Sequence, residues 1–188
     1  PLWIAPGTHR DAVAQCAVQL GAQIETGPAP GNEALVILTP LGHDATHACQ
    51  DWPAERAVAL DTFFAFGKGA CQRRVLMTTP ATRSDYRDAA HALFAADGVR
   101  VSVIRDSAGF VAPRILAMIV AIGCEIAQQR IASPVDIDTA VRLGLGYPAG
   151  PLALGDALGP ARLTRLLDEI HDITGDPRYR PSPWLRRR

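Results

Sequence analysis

The sequence predicts two regions, a largely parallel α/β sheet followed by an all-helical region. Three observations carry this. Up to about residue 106, short apolar runs alternate with amphipathic stretches, the order that puts helices on the faces of a parallel sheet. From Ser107 onward, apolar residues recur at three- and four-residue spacing with short connections. The change of pattern falls at Asp106 to Ala108, giving expected domains of 1–106 and 107–188. With 188 residues, 48% of them hydrophobic, the chain is long enough for a sizeable core.

The elements follow in order. "LWIA" (2–5) is a strand; Thr8 is placed to cap a helix running to Leu20, with Val13, Ala17 and Leu20 inward and Gly21 as the stop. "AQIET" (22–26) is a second strand and "GPAPGN" (27–32) a turn. "ALVILT" (34–39) is continuously apolar, as a strand covered on both faces must be. A short helix over residues 44–52 precedes Pro53. The strands "AVALDTF" (57–63) and "RRVLMTT" (73–79) come next, with "GKGACQ" (67–72) as a loop tip between them. Ser84 is expected to cap a helix over residues 85–96, closed by Gly98, and "VRVSVI" (99–104) is the last strand.

In the second region Val111, Ile115, Met118, Ile119, Ile122 and Ile126 form a wide apolar stripe, of which Ile115, Met118, Ile119 and Ile122, with Phe110, are read as an exposed packing surface. Pro113 sits within this helix. It lacks an N–H and clashes with the carbonyl four residues back, on Gly109, so regular helix is predicted to begin no earlier than about Phe110, or to kink. "SPVDID" (133–138) is a helix start with Ser133 as cap, Pro134 first and Asp136 third, and the helix stops at Gly144 or Gly146. A last helix spans residues 160–174, burying Leu163, Leu166, Leu167 and Ile170, before a proline-broken basic tail.

Composition narrows function. Asp and Glu balance Lys and Arg for a net charge of zero, which leaves no basic field for nucleic acid. The longest apolar stretch, 115–126, is too short for a membrane span. Cys16, Cys49, Cys71 and Cys124 form no CxxC pair and read as reduced thiols of a cytoplasmic protein. No secretory leader is read, and because Pro1 falls inside an apolar run the sequence is expected to be an internal piece of a longer chain. His43 and His47, four apart, share a face if helical, but no third metal ligand is near, so no metal residue is expected. "GLGYPA" (144–149) matches G-x-G-x-x-A as a string, yet it follows a helix and contains a proline, and is read as a stop and turn. His43, Asp44 and Ser84 supply the residue types of a hydrolytic triad without its local motif. Asp138 and Asp156 are expected to cap helices or hold turns. The arginines at 178, 180, 186, 187 and 188 are read as a solvated tail or a contact with a parent chain, rather than as phosphate ligands.

The helical region carries a resemblance. Residues 106–159, "DSAGFVAPRILAMIVAIGCEIAQQRIASPVDIDTAVRLGLGYPAGPLALGDALG", with "GDPRYRPSPWL" (175–185), resemble the C-terminal domain of 3-hydroxyacyl-CoA dehydrogenases. The match rests on Gly109-Phe110-Val111, Arg114, Asp136-Ile137-Asp138, Leu143-Gly144, Gly150-Pro151-Leu152, Asp156, Gly159, Asp176-Pro177, Tyr179 and Pro181. The resemblance implies a preceding Rossmann-like domain, here reduced, and a helical domain that makes dimer contacts. It further implies a bacterial 3-hydroxybutyryl-CoA or phenylacetate-pathway type of parent, an oxidoreductase of fatty acid β-oxidation chemistry that oxidises 3-hydroxyacyl-CoA with NAD.

Against that pattern the chemistry is missing. "ERAVALDTFF" (55–64) resembles the strand with the family's catalytic histidine, but Thr62 stands at that position, and an alcohol is no base near neutral pH. "QRRVLMTT" has no orienting glutamate, "TPLGHD" no serine, and Pro113 replaces the asparagine of the family's pattern. The first strand is followed by "PGTHRD", with one glycine where a dinucleotide loop needs several. The resemblance therefore implies a second, degenerate copy within a longer dehydrogenase. NAD belongs to the parent and no cofactor to this segment. No catalytic, cofactor-binding or metal residue is assigned, and the partners are acyl-CoA through the parent, its own N-terminal catalytic domains, or a homodimer. Two other readings stay open, a non-catalytic acyl-CoA-binding module using a groove between the halves, and a complete catalyst with relocated residues.

Overall fold

The computed structural model describes residues 1–64 and 72–188, so the tip at 67–72 lies, but for Gln72, outside the described residues. The chain divides into two compact units, Pro1–Phe110 and Val111–Arg188. The first holds a six-stranded sheet of β1 (Leu2–Ile4), β2 (Ile24–Glu25), β3 (Leu35–Leu38), β4 (Ala57–Leu60), β5 (Arg73–Thr78) and β6 (Arg100–Arg105), in the order β2-β1-β3-β4-β5-β6. All neighbours run parallel except β4 and β5, which pair antiparallel with Ala59 opposite Met77. The helices of this unit are α1 (Arg10–Gln19), α2 (Ala45–Ala48) and α3 (Ser84–Phe94).

Period-two alternation sorts the strands onto two cores. Leu2, Ile4, Leu35, Ile37, Val58, Leu60 and Leu76 face Val13 and Ala17 of α1 and Ala90 and Phe94 of α3. The intervening Trp3, Val36, Leu38, Ala57, Ala59 and Met77 face Ala45 and Cys49 of α2, together with Phe110. All four residues of β3 are buried, as the continuous apolar run requires.

Two expected caps differ. The N-cap of α1 is His9 and that of α3 is Arg83, and neither makes a side-chain capping bond. Thr8 lies one residue too early, and Ser84 is already the first helical residue. Gly21 does end α1: at φ 92 it lets Ala22 N–H donate to the Ala17 carbonyl and its own N–H to that of Val18, a Schellman closure that glycine adopts without strain. Across the sheet edge Arg74 donates to both oxygens of Asp97 and to the Phe94 carbonyl. These bonds hold the Asp97 carboxyl down at about 2. A carboxyl depressed on folding stabilises the fold above its unfolded value near 3.8 and loses that contribution as pH falls towards 2. Asp97→Asn should therefore flatten the acid limb of a melting-temperature profile between about pH 4 and 2; an unchanged limb would contradict the pairing.

The second unit contains α4 (Ala112–Gln128), α5 (Pro134–Leu145), α6 (Pro151–Leu158), α7 (Pro160–Thr174) and the short α8 (Pro183–Arg186). The proline question resolves at the start of α4. Gly109 and Phe110 adopt left-handed backbone (φ 70 and 53), and Val111 is the N-cap. Pro113 thus falls in the first turn, where no N–H is needed and Gly109 is already outside the helix.

Of the exposed stripe expected on α4, Ile115 and Ile122 are found exposed and Phe110 is corrected. Phe110 is not part of an exposed stripe: it is 1% exposed, among the core residues of the first unit. The buried face of α4 is a line of mostly small residues, Pro113, Ala117, Val120, Gly123 and Cys124, while Val111, Ile115 and Ile122 stay exposed. The cause is close helix packing. A Cβ on Gly123 would come within 2.8 Å of Pro151, and one on Gly155 within 2.8 Å of Val120, so each helix uses glycine where the other presses in. Helix α7 matches its predicted bounds and buries Leu163, Leu166, Leu167 and Ile170. The arginines of the tail are exposed, as a solvated tail requires, yet the tail packs on the helices. Leu185 is 1% exposed, and Arg178, Arg186 and Arg188 pair with Asp176, Asp168 and Asp156. Among the described residues, no helix is long and apolar enough to cross a membrane.

Candidate functional site

In open α/β sheets ligands sit beyond the carboxyl ends of the strands, where the strand order switches direction. Here that place lies between β1 and β3, with the segments 5–9 and 39–44 above them and 61–64 beyond β4. Each segment is committed to internal contacts. After β1 the single glycine, Gly7, packs so closely that a Cβ would lie 2.9 Å from Thr39 Oγ1. Arg10, the first residue of α1, donates its Nε–H to the Ile4 carbonyl at 3.1 Å. At the end of β2 stands Glu25, which sequence reasoning missed; an acid there, some twenty residues past the first turn, is the signal for a ribose contact in dinucleotide folds. Its Oε2 instead accepts from Gly31 N at 2.8 Å, and the same turn is tied to Trp3, whose indole donates to the Gly27 carbonyl.

Beyond β3, Asp44 caps α2 by accepting from His47 N at 2.7 Å. Asp106, also missed, accepts from Ala45 N at 2.7 Å and from the Thr46 hydroxyl. Two carboxylates therefore satisfy the exposed amides of this short helix. His43 lies outside α2, contrary to the shared helix face; its ring stacks on that of His47 with centroids 4.2 Å apart. Among the described residues no group of three His, Cys, Asp or Glu is arranged to hold a metal ion. Ser84 is the first residue of α3, while Asp44 caps α2.

Beyond β4, Thr62 is 4% and Asp61 8% exposed. Asp61 Oδ1 accepts from Phe63 N at 2.8 Å, and Asp61 N donates to the Val75 carbonyl, which fixes the turn. The neighbouring strand β5 offers Arg73 and Arg74, directed to Ser102 and Asp97, and no acid.

In the helical unit the motif residues are architectural. Ser133 Oγ accepts from Asp136 N and donates to its carboxylate, the expected start of α5. Asp138 reaches across to accept from Leu152 N (2.8 Å) and Ala153 N (3.0 Å), capping α6. A Cβ on Gly150 would overlap the Asp138 side chain, so the aspartate and the Gly-Pro-Leu turn form one lock. Asp156 neither caps a helix nor holds a turn: it lies within α6 and pairs with Arg188 in the tail. Gly146, at φ 68, is the C-cap of α5, which makes "GLGYPA" a helix stop. Cys124 is buried, and desolvation pushes its thiol up to about 11.

The chain is thus a mostly parallel α/β sheet unit joined in sequence to a five-helix unit held by these capping motifs. Residues 109–188 match the family model described as "3-hydroxyacyl-CoA dehydrogenase, C-terminal domain". Through this domain the chain is similar to the 3-hydroxyacyl-CoA dehydrogenase family. It is 45% identical over 91 residues to the 3-hydroxyadipyl-CoA dehydrogenase of Escherichia coli K12, covering 48% of this chain and 19% of that protein. It is 37% identical over 82 residues to a probable 3-hydroxybutyryl-CoA dehydrogenase of Deinococcus radiodurans, covering 44% of this chain and 30% of that one. Among solved structures, 3-hydroxybutyryl-CoA dehydrogenase from E. coli K12 aligns over 80% of this chain and 30% of its own, with a TM-score of 0.67 and 32% identity. FadB2 of M. tuberculosis, at 21% identity, shares the fold over 98% of this chain and 63% of its own, with a TM-score of 0.75. The chain thus spans well under two thirds of the curated relatives it matches.

Proposed function

We propose that these residues form the C-terminal part of an NAD-dependent L-3-hydroxyacyl-CoA dehydrogenase, and that they serve it structurally while turnover occurs elsewhere in the polypeptide. The observation that carries this reading is Thr62, buried at the end of β4 in the histidine's place. Oxidation of the 3-hydroxyl needs a base for the hydroxyl proton while hydride leaves C3. An imidazole titrates near neutral pH and an alcohol does not. The amide of Pro113 has no N–H, and its ring offers the substrate oxygen no hydrogen bond.

NAD, when bound in the parent, would accept the hydride. The residues here do not fit it: the β1–α1 turn closes on Thr39, Arg10 covers the Ile4 carbonyl, and Glu25 holds its own turn. The exposed Val111, Ile115 and Ile122 support a role in packing against the parent's helical domain or a second copy. Acyl-CoA then meets this chain only through the parent enzyme, and the proposed setting is the cytoplasm. Calorimetry with NAD and an absorbance assay for NADH test the reading. The expected result is no saturable NAD binding and no NADH from 3-hydroxybutyryl-CoA. NADH production abolished by Thr62→Ala would overturn it, and acyl-CoA binding without NAD binding would favour an acyl-CoA-binding module instead.

A further inference from the structure

Three guanidinium groups gather where α4 ends against the C-terminal segment. They border an open depression of about 710 Å³, within the usual range of small-ligand pockets, lined by Gln128, Arg130, Pro183, Trp184, Arg187 and Arg188. Arg130 is the informative residue. It follows the C-cap of α4 in left-handed backbone (φ 56), donating to the Ala127 carbonyl while Ile131 N donates to that of Ile126. The helices α1, α5 and α7 end at the same kind of position with glycine: Gly21, Gly146 and Gly175. Glycine is unstrained there and arginine is not. A charged side chain kept against its own backbone preference points to a use for the charge.

The surroundings fit an anion. Arg188 is engaged by Asp156, and its guanidinium lies 4.6 Å from the Trp184 ring centre. The Trp184 backbone N–H donates to Gln128 Oε1 at 2.8 Å, which ties the backbone that carries the indole to α4 beside the depression. Arg130 and Arg187 have no carboxylate partner among the described residues, and the nearby Glu125 is bonded to Gln129. The carbonyl end of α4 offsets part of this positive charge, and a surplus remains. We propose that this depression binds a nucleoside phosphate, its phosphates on Arg130 and Arg187 and its base against Trp184. Guanidinium forks match phosphate oxygens, and indole offers a stacking surface. The inference does not depend on the dehydrogenase reading.

The test is calorimetric titration of the chain with ADP, with pyrophosphate and with adenosine. ADP should bind saturably and more tightly than either part alone. Arg130→Gly and Arg187→Ala should each weaken ADP by about tenfold, the loss expected for one charge-assisted contact. Trp184→Leu should weaken ADP and leave pyrophosphate unaffected. Arg130→Gly also separates ligand from fold, since it should raise the melting temperature as it weakens binding. Absence of saturable ADP binding, pyrophosphate binding as tight as ADP, or unchanged ADP affinity in a more stable Arg130→Gly variant would each overturn the proposal.

Discussion

Replacing Gly150 with valine should destabilise the chain by about 3 kcal/mol or more, the upper range for forcing extra carbons into a packed site. The backbone at Gly150 is ordinary (φ −72), so the penalty is one of space. Any Cβ would displace Asp138, and with it the carboxylate that accepts from Leu152 N and Ala153 N. Overpacking and loss of a helix cap then act together. Thermal melts should show a drop of roughly 6–12 °C, using about 2–4 °C per kcal/mol for a chain of this size. Asp138→Gly should recover part of the loss in the double variant, because the Asp138 Cβ itself stands in the contested space. Additive losses would mean that the lock does not exist.

Phe110→Ala should cost about 3–5 kcal/mol, the usual range for emptying a fully buried aromatic site. Phe110 ends the first unit, packed in the core that includes Trp3, Val36 and Met77. Its left-handed backbone carries strain that the packing must outweigh. Alanine keeps the strain and loses the packing, whereas Phe110→Gly loses the packing and relieves the strain. Denaturant midpoints should therefore place the alanine variant below the glycine variant, the reverse of the usual order for a non-helical buried site. Equal midpoints would show that the backbone conformation costs nothing.

Most elements were legible because their signals are local. The ends of α7 are set by Pro160 and Gly175 and its inner face by evenly spaced leucines, so sequence and structure agree. Ser133, Pro134 and Asp136 mark the start of α5 for the same reason. On α4 the exposed Ile115 and Ile122 agree with the reading, while the inner face was not legible, because the side pressed against α6 needs small residues that carry no hydrophobic signal. The start of α6 was not read at all, since its cap is supplied from another helix. At the site, Thr62 and Pro113 were readable as residue types that offer neither a base nor a side-chain hydrogen bond. The engagement of Glu25 with Gly31, and of Asp106 with α2, depends on where distant turns meet, and no spacing rule announces it.

The reach of Asp138 to Leu152 closes a ring of only 14 residues. Short closures cost little chain entropy, so the pairing of α5 with α6 can form before contacts between distant parts of the chain are made. The signature by which this domain is recognised would then double as a nucleus, and drift in its sequence would be felt during biosynthesis before any effect on the finished protein.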